Sequence, residues 1–305
     1  MRRAFVETIV EIAERDQRVL LLTGDLGFMA LEPFADRFPS RFINAGVAEQ
    51  NMVGVATGLA EAGFIPFVYS IAPFAALRPF EFIRNGPVFH HLPVRVVGIG
   101  TGFDYGHAGP THHAIEDVGV LRTQAGLSII VPADSHQARA SILATWDLPG
   151  PVYYSLGKSD LAAVPGLEGK FQLGRAQTVR KGGDTTIIAM GAVALEAVAA
   201  AETLALRGTN CSVVVVSSVA PAPIEDLEEI LSRSLLAVTV EAHVPAGGLG
   251  SLVCEVVARC AFRCKVVTCA VRAEPDGRSG PNEWHLKRNE LDRDSLVRTI
   301  QQQWR

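Results

Sequence analysis

Short apolar segments alternate with amphipathic ones along most of this chain. In the first half, the apolar segments are rich in aliphatic and aromatic residues and lie at 19–23, 64–69, 93–99, 127–132 and 151–156. Between them, apolar residues recur at helical spacing, which predicts helices at 3–15, 32–38, 48–62, 79–85, 118–124 and 135–146. Near-continuous apolar strands are typical of a parallel sheet that helices cover on both faces.

The second half repeats this texture after a loop-like stretch. Strands are predicted at 185–191, 211–216, 235–241 and 265–271, and helices at 192–207, 224–232, 247–260 and 292–303. The stretch 161–174 contains Pro165 and several glycines, which favours a linker. We therefore predict an α/β fold of two domains, 1–160 and 175–305, each a mostly parallel sheet covered by helices.

One carboxylate stands out in the first domain. The predicted helix 48–62 consists largely of small residues, so that another backbone or a flat ligand can approach it closely. Glu49 lies in its first turn, where the helix N-terminus favours a negative charge. Two interpretations stay open from these residues: a partly solvated helix-terminal charge, or a buried carboxylate that shares a proton with a ligand.

Polar and glycine-rich segments follow the predicted strands. Asp25 comes directly after the first strand, at the kind of strand end where open α/β sheets bind ligands, although it could also serve only as a turn residue. The loop 98–109 is rich in glycine and leads into Gly-Pro-Thr-His-His at 109–113. Long loops of this kind usually carry function, and exposed loop histidines are the alternative.

Composition narrows the class of protein. The 305 residues are 48% apolar and 20% charged, with a net charge of −4 and no basic run, so that nucleic acid and anionic membranes are not indicated as partners. No apolar segment is long enough to span a bilayer, and an amphipathic helix, not a signal-peptide core, follows the two N-terminal arginines. We expect a cytoplasmic protein with no membrane association.

The five cysteines do not predict a metal site. Four of them, at 254, 260, 264 and 269, are close in sequence, but their spacing is irregular and contains no Cys-x-x-Cys pair. Reduced thiols packed in or near a core are the expectation for a cytoplasmic chain.

The order and spacing of several motifs resemble the C-terminal section of a transketolase, which comprises the pyrimidine-binding domain and the C-terminal domain. The resemblance covers nearly the whole chain and fits best the bacterial split type, in which this half is a separate polypeptide. Its motifs are TGDL at 23–26, GVAEQNM at 46–52, FA at 74–75, FEFIRN at 80–85, GPTH at 109–112, VPAD at 131–134 and GGLG at 247–250.

The resemblance implies thiamine diphosphate as the cofactor and two catalytic residues, Glu49 and His112. Glu49 matches the carboxylate that hydrogen-bonds the aminopyrimidine ring, and His112 a histidine that contacts the substrate near its reacting carbonyl. Phe74 matches an aromatic that stacks on the pyrimidine, and Asp25 and Ile71 are also expected to bind the cofactor. The implied reaction moves a two-carbon ketol unit from a ketose donor to an aldose acceptor.

A partner subunit is also implied. The family's diphosphate–magnesium signature, Gly-Asp-Gly followed later by Asn, does not occur here, because Gly24-Asp25 continues with Leu26. In the family that signature belongs to the N-terminal section. We expect a partner that supplies it and holds most of the Mg²⁺ contacts, in an α2β2 heterotetramer with the active site at the interface.

The substrate end departs from the common family pattern. Ala108 stands where an acidic residue contacts sugar hydroxyls, Gly100 where a histidine binds the sugar phosphate, and Met29 where a serine belongs to the same site. These losses suggest a specialised transketolase that acts on an unusual or nucleotide-linked sugar. The sequence does not name the donor or the acceptor.

Other residues are expected to complete substrate binding. Arg2 matches an arginine of the phosphate site, and Lys158 replaces another, supplying charge without the bidentate fork of a guanidinium. His107 and Tyr105 are candidates for replacement contacts. Two alternatives to a transketolase subunit stay open: the β subunit of a 2-oxo acid dehydrogenase, and a non-catalytic scaffold subunit.

Overall fold

The computed structural model describes residues 1–160, 162–272 and 276–304. Within these ranges the strands are β1 (Val19–Thr23), β2 (Phe42–Asn44), β3 (Ile65–Ile71), β4 (Arg95–Ile99), β5 (Ser128–Ile130), β6 (Val152–Leu156), β7 (Gln177–Arg180), β8 (Thr185–Met190), β9 (Cys211–Val215), β10 (Ser218–Ala220), β11 (Leu236–Glu241) and β12 (Lys265–Cys269).

The helices of the same ranges are α1 (Arg2–Arg15), α2 (Glu32–Arg37), α3 (Glu49–Glu61), α4 (Ala72–Ala76), α5 (Phe80–Ile83), α6 (Asp117–Leu121), α7 (Ser135–Thr145), α8 (Ala194–Leu206), α9 (Ile224–Ser232), α10 (Leu249–Cys260), α11 (Asn282–Arg288) and α12 (Arg293–Gln303). None of these helices combines the length and the apolar character that crossing a membrane requires.

The strands form two mostly parallel sheets. The order of the first is β10-β5-β6-β4-β3-β1-β2, and that of the second is β12-β11-β8-β9-β7. Only the edge strands β10 and β7 pair antiparallel to their neighbours among the described strands. Helices pack on the sheets, and most strand residues are buried, as expected for sheets covered on both faces. The predicted α/β fold class is confirmed.

Five short elements were not predicted. They are β2, β7, β10, α4 and α11, and each is too short for a strand or helix period to be visible in the sequence. The helix predicted at 79–85 is also shorter than expected. It forms α5 and then a wider π-helical turn at Arg84–Val88, which accommodates Pro87.

The two halves of the chain are joined by more than the segment between them. Although β10 follows the linker in sequence, it extends the first sheet by pairing with β5. The backbone of Val244 donates to Ile115 O at 2.8 Å, and Gly119 donates to His243 Nε2 at 3.0 Å. Leu161, the first residue of the predicted linker, lies outside the described residues, and the domain boundaries themselves stay a prediction.

Candidate active site

Most of the residues singled out in the sequence follow parallel strands of the first sheet. They are Asp25 after β1, Glu49 after β2, Phe74 after β3, His112 after β4 and Lys158 after β6. Because these strands run in one direction, their carboxyl ends share one edge of the sheet. Ligands of open α/β sheets bind outside this edge.

Glu49 is a buried carboxylate with two side-chain partners. It is only 3% exposed, although it begins α3 beside the exposed Val47 and Gln50. The Ser70 hydroxyl donates to its Oε1 at 3.0 Å, and the Arg78 guanidinium donates to its Oε2 at 2.9 Å. Because Glu49 is buried, the interpretation as a partly solvated helix-terminal charge is wrong. Its two partners supply the hydrogen bonds that a buried carboxylate needs.

The Arg78 guanidinium also lies on the Phe74 ring. Its central carbon is 3.8 Å from the ring centroid, which is the distance of a cation–π contact. The Phe74 ring also contacts the His112 ring, which meets it edge-on at a centroid distance of 5.0 Å. Glu49, Arg78, Phe74 and His112 thus form one continuous group of contacts.

Arg78 and Ser70 are site residues that the sequence reasoning missed. Arg78 follows Phe74 by four positions, the spacing that brings two side chains to the same face of a helical turn. That spacing could have signalled the contact. Ser70 lies near the end of the apolar strand β3 as a fully buried hydroxyl, and nothing in the sequence indicates that it faces Glu49.

A second group of contacts begins at the other side of His112. The Tyr105 ring lies 6.4 Å from the His112 ring, and the Lys158 ammonium lies 4.5 Å from the Tyr105 centroid. The Asp104 carboxylate accepts the backbone N–H of Lys158 at 2.7 Å, which ties the two loops together. Burial raises the pKa of Tyr105, and the nearby positive charge of Arg2 opposes this shift.

Tyr105 fills the space beside Gly100. A Cβ atom at position 100 would lie 2.2 Å from two carbons of the Tyr105 ring, and the backbone there has a φ of +87°. Only glycine adopts this conformation without strain. Position 100 is where the family's phosphate-binding histidine was expected. In this chain the Tyr105 ring takes the space that a side chain at position 100 would need, and the backbone there has a conformation that favours glycine.

The remaining sequence candidates are less integrated. Asp25 is exposed, in a left-handed backbone conformation, and is paired with Asn44, whose side-chain amide donates to its Oδ1 at 2.9 Å. Ile71 is half-buried at the end of β3, directly before α4. His107 is exposed on a short turn, and the described residues show no contact between it and the group around Phe74.

Comparison with known proteins decides the family. Residues 1–163 match the family described as transketolase, pyrimidine binding domain, and residues 174–288 match transketolase, C-terminal domain. The chain belongs to the transketolase family. It corresponds to the C-terminal section of a transketolase, as the order of its motifs predicted.

Transketolase subunits match most of the chain. An apulose-4-phosphate transketolase subunit of Phocaeicola vulgatus is 35% identical over 83% of this chain and 82% of its own length. The 6-deoxy-6-sulfo-D-fructose transketolase subunit of Clostridium sp. (strain MSTE9) is 36% identical over 84% of this chain and 80% of its own. The predicted enzyme class, a transketolase-type transferase, is confirmed.

A solved transketolase shares the whole architecture. It is described as a split-gene transketolase in an inactive β4 tetramer, and it is 35% identical to this chain with a TM-score of 0.89. The match covers 99% of this chain and 97% of that chain. The roles of the individual site residues in the transketolase reaction stay predictions.

Proposed function

We propose that this chain is one subunit of a two-chain, thiamine-diphosphate-dependent transketolase. It would transfer a two-carbon ketol unit from a ketose donor to an aldose acceptor. The observation that carries the proposal is the buried Glu49 carboxylate, which Arg78 links to the Phe74 ring at the carboxyl edge of the first sheet.

The residues present fit the aminopyrimidine ring of this cofactor. A planar, nitrogen-rich group already stacks on Phe74 and hydrogen-bonds Glu49, namely the guanidinium of Arg78. Gly24 borders the same carboxylate, since a Cβ there would lie 3.7 Å from Glu49 Oε1. A flat ring that hydrogen-bonds a carboxylate on its edge has the same requirements, and Arg78, which is 43% exposed, can turn towards solvent.

Thiamine diphosphate, when bound, supplies an electron sink for cleaving and forming carbon–carbon bonds. When the cofactor binds, the Arg78 guanidinium would leave Glu49 Oε2, and this oxygen would share a proton with a nitrogen of the cofactor ring. Ser70 keeps the other oxygen in place at 3.0 Å, so that the carboxylate has one orientation. Asp25 and Ile71 border the cofactor, and Phe74 supplies the stacking surface.

His112 is proposed to contact the substrate near its reacting carbonyl. Its ring contacts Phe74 at 5.0 Å and lies 6.4 Å from the Tyr105 ring, so that it links the cofactor end to the substrate end. Arg2 and Lys158 then bring positive charge to the far end of the substrate. His107 stays a weaker candidate, because its exposed position would require a movement of its loop.

The substrate is proposed to be a specialised sugar rather than an ordinary pentose phosphate. Gly100 and Met29 stand where a histidine and a serine would bind the phosphate, so that neither ligand is present. The Tyr105 ring occupies the space beside Gly100, and the Met29 side chain is 93% exposed. Two relatives are named for apulose-4-phosphate and 6-deoxy-6-sulfo-D-fructose, which supports an unusual sugar with an anionic end for this chain as well. A nucleotide-linked sugar also supplies such an end.

A partner subunit is proposed to complete the site and to hold the diphosphate and Mg²⁺. Large apolar side chains are exposed close to the site residues in sequence: Phe28 is 71% exposed, and Val47 72%. Contiguous exposed apolar groups mark surfaces that another chain covers, and we propose that Phe28 and Val47 belong to such a surface. The split-gene relative is described as inactive as a β4 tetramer, which supports a need for a second kind of chain, in an α2β2 assembly.

The experiment combines cofactor binding with ketol transfer. This chain is co-purified with a chain that carries the diphosphate motif, and thiamine diphosphate uptake is measured by calorimetry for each chain and for the pair. We expect tight uptake only by the pair. Glu49→Gln should lower ketol transfer at least about a hundredfold, the scale of proton-transfer catalysis. Glu61→Gln, at the exposed far end of the same helix, is the matched control and should leave it unchanged.

Four results would overturn parts of this proposal. Full activity of Glu49→Gln would remove the carboxylate from the reaction, and tight cofactor uptake by the isolated chain would remove the partner's role. Oxidation of a 2-oxo acid with transfer to an acyl acceptor would identify a dehydrogenase subunit instead. With xylulose 5-phosphate and ribose 5-phosphate at saturation, turnover equal to that of a housekeeping transketolase would refute the specialised substrate.

A further inference from the structure

The loop that presents Tyr105 and His112 is attached to the second domain. Within the first domain, its two ends are closed by backbone hydrogen bonds of 3.0 and 2.9 Å between Gly102 and Ala114. Its middle is held from the second domain, where Gly280 N donates to Gly106 O at 3.3 Å. The position of the loop therefore depends on both domains.

Two adjacent histidines of this loop have different surroundings. The His112 ring contacts Phe74 in the candidate active site, whereas the His113 ring is buried at 8% exposure and meets both Phe103 and His285 edge-on. Its centroid lies 5.0 Å from Phe103 and 4.8 Å from His285. Because the two histidines share a peptide bond, the placement of His113 constrains the placement of His112.

His285 comes from α11 of the second domain and stacks on the same phenylalanine. Its ring is nearly parallel to that of Phe103, with a centroid distance of 4.6 Å and an interplanar angle of 8°. The backbone of the loop also lies close to His285, since a Cβ at Gly106 would be 2.7 Å from His285 Cδ2. Phe103, His113 and His285, which we call the interdomain ring cluster, thus form one packed unit across the domain boundary.

The interdomain ring cluster is built for neutral imidazoles. His285 is 3% exposed, and neither its Nε2 nor that of His113 has a hydrogen-bond partner among the described residues. Burial lowers the pKa of both histidines, their mutual proximity lowers that of His113 further, and a hydrogen bond with the Gly106 backbone opposes the shift in each.

The charged groups around the cluster do not neutralise a proton on it. Arg288, on the same helix as His285, and His107 lower the pKa of His285, while Asp276 raises it. Asp276 is already paired with Arg288 at 2.7 Å. On the side of the first domain, His112 lowers the pKa of His113. Protonation of either ring would therefore place a poorly compensated charge in the domain interface.

We propose that His285 is a positioning residue for the candidate active site, and that it holds the loop with Tyr105 and His112 through Phe103 and His113. The catalytic consequence rests on the proposed function, whereas the structural consequence does not. In this proposal the second domain positions a loop of the first domain, and that loop presents Tyr105 and His112 to the candidate active site.

The direction of the pH effect follows from the lowered pKa values. The docked loop favours neutral histidines, and the released loop has histidines of ordinary pKa, about 6.5. Docking is therefore fully favourable above this value and weakens as the pH falls below it, by up to about tenfold per pH unit and per histidine until the lowered pKa is reached.

Hydrogen–deuterium exchange of segment 100–114 in the full chain is the first measurement, with rates corrected for the intrinsic effect of pH. In the wild type we expect protection at pH 7.5 that decreases at pH 5.5. His285→Ala removes the stacking partner and should expose the segment at both pH values. His285→Phe keeps a stacked ring without a titrating nitrogen, so that its loss of protection at pH 5.5 should be up to about tenfold smaller. His90→Gln, an exposed histidine outside the cluster, is the control.

Ketol transfer by the complex with the partner subunit is the second measurement. His285→Ala should lower kcat/KM by about tenfold to a hundredfold, the scale of a displacement near 1 Å in an active site. His285→Phe should keep near-normal kcat/KM at pH 7.5 and extend activity to lower pH. A loss of kcat/KM in His285→Phe that is the same at every pH would indicate a merely structural effect and overturn the positioning role.

The two measurements separate this inference from the proposed function. If no ketol transfer is found, the exchange experiment still tests whether His285 holds the loop. Exchange of segment 100–114 that is identical in the wild type, His285→Ala and His285→Phe at both pH values would refute the inference. If His285→Ala does not fold, the comparison of His285→Phe with the wild type decides it alone, because equal acid sensitivity would contradict it.

Discussion

Gly100→Ala is expected to lower the free energy of unfolding by about 2–4 kcal/mol. Two effects contribute. Alanine at a φ of +87° is strained, which costs about 1 kcal/mol. In addition, its Cβ would lie 2.2 Å from the Tyr105 ring, and such overpacking costs about 1–3 kcal/mol as the ring shifts. The substitution therefore measures how firmly Tyr105 occupies this space.

Gly63→Ala, just after α3, is the matched control. Its φ is +94°, and a Cβ there would meet no atom within 4 Å, so that only the backbone strain of about 1 kcal/mol should remain. Gly100→Ala introduced into Tyr105→Ala should likewise cost only the strain, because the ring that its Cβ would meet is gone. Comparing the cost of Gly100→Ala in the wild type and in Tyr105→Ala isolates the contact between positions 100 and 105.

Urea unfolding followed by circular dichroism gives the free energies of unfolding of the wild type and of these variants from the transition midpoints. Equal destabilisation by Gly100→Ala and Gly63→Ala would refute the reasoning, because it would mean that Tyr105 does not fill the space beside Gly100. The same variants report on function. If Tyr105 is displaced from Lys158, the KM for the acceptor should rise in Gly100→Ala and stay unchanged in Gly63→Ala.

Three further outcomes are expected. Gly58→Ala should stabilise the isolated chain by about 0.5–1 kcal/mol, because α3 has space for a Cβ there; a lower melting temperature would contradict this. Thiol labelling at pH 8 should modify the exposed Cys254 first, since burial raises the pKa of Cys269 to about 11; mass spectrometry identifies the sites, and prior labelling of Cys269 would contradict the packing. The hydrogen bond from Arg288 lowers the pKa of Asp276 to about 2, so the stabilisation that this pair provides is present above pH 3.8 and lost as the pH falls towards 2. Amide exchange of α11 should therefore increase over that range in the wild type and be independent of it in Asp276→Asn.

Most of the strands and helices could be predicted from the sequence because each of the longer ones has a local pattern of apolar residues. Val19–Thr23 and Ile224–Ser232 were predicted with the bounds that the structure has, since a buried strand and an amphipathic helix differ in the period of their apolar residues. β10 was missed for the same reason. Its three residues contain no period, and it forms a strand only because the edge of β5 lies beside it.

The candidate site was predictable only through its motifs. Glu49, Phe74 and His112 were named because they lie in motifs that resemble those of the family, and the structure brings them into one group of contacts through Arg78. Arg78 was not found, because pairing with Glu49 depends on how α3 and the segment after α4 pack against each other. A local pattern shows which face of a segment is apolar, and not which distant segment covers it.

By itself, then, the sequence determined the two α/β domains, the transketolase section to which the chain belongs and the strand ends that carry its polar residues. Only the tertiary structure decided that Tyr105 takes the space beside Gly100 and that His285 packs against His113 across the domain boundary. The first contact lies within one glycine-rich loop, and the second joins segments far apart in the chain. Both depend on the shapes of packed side chains, which composition and periodicity do not contain.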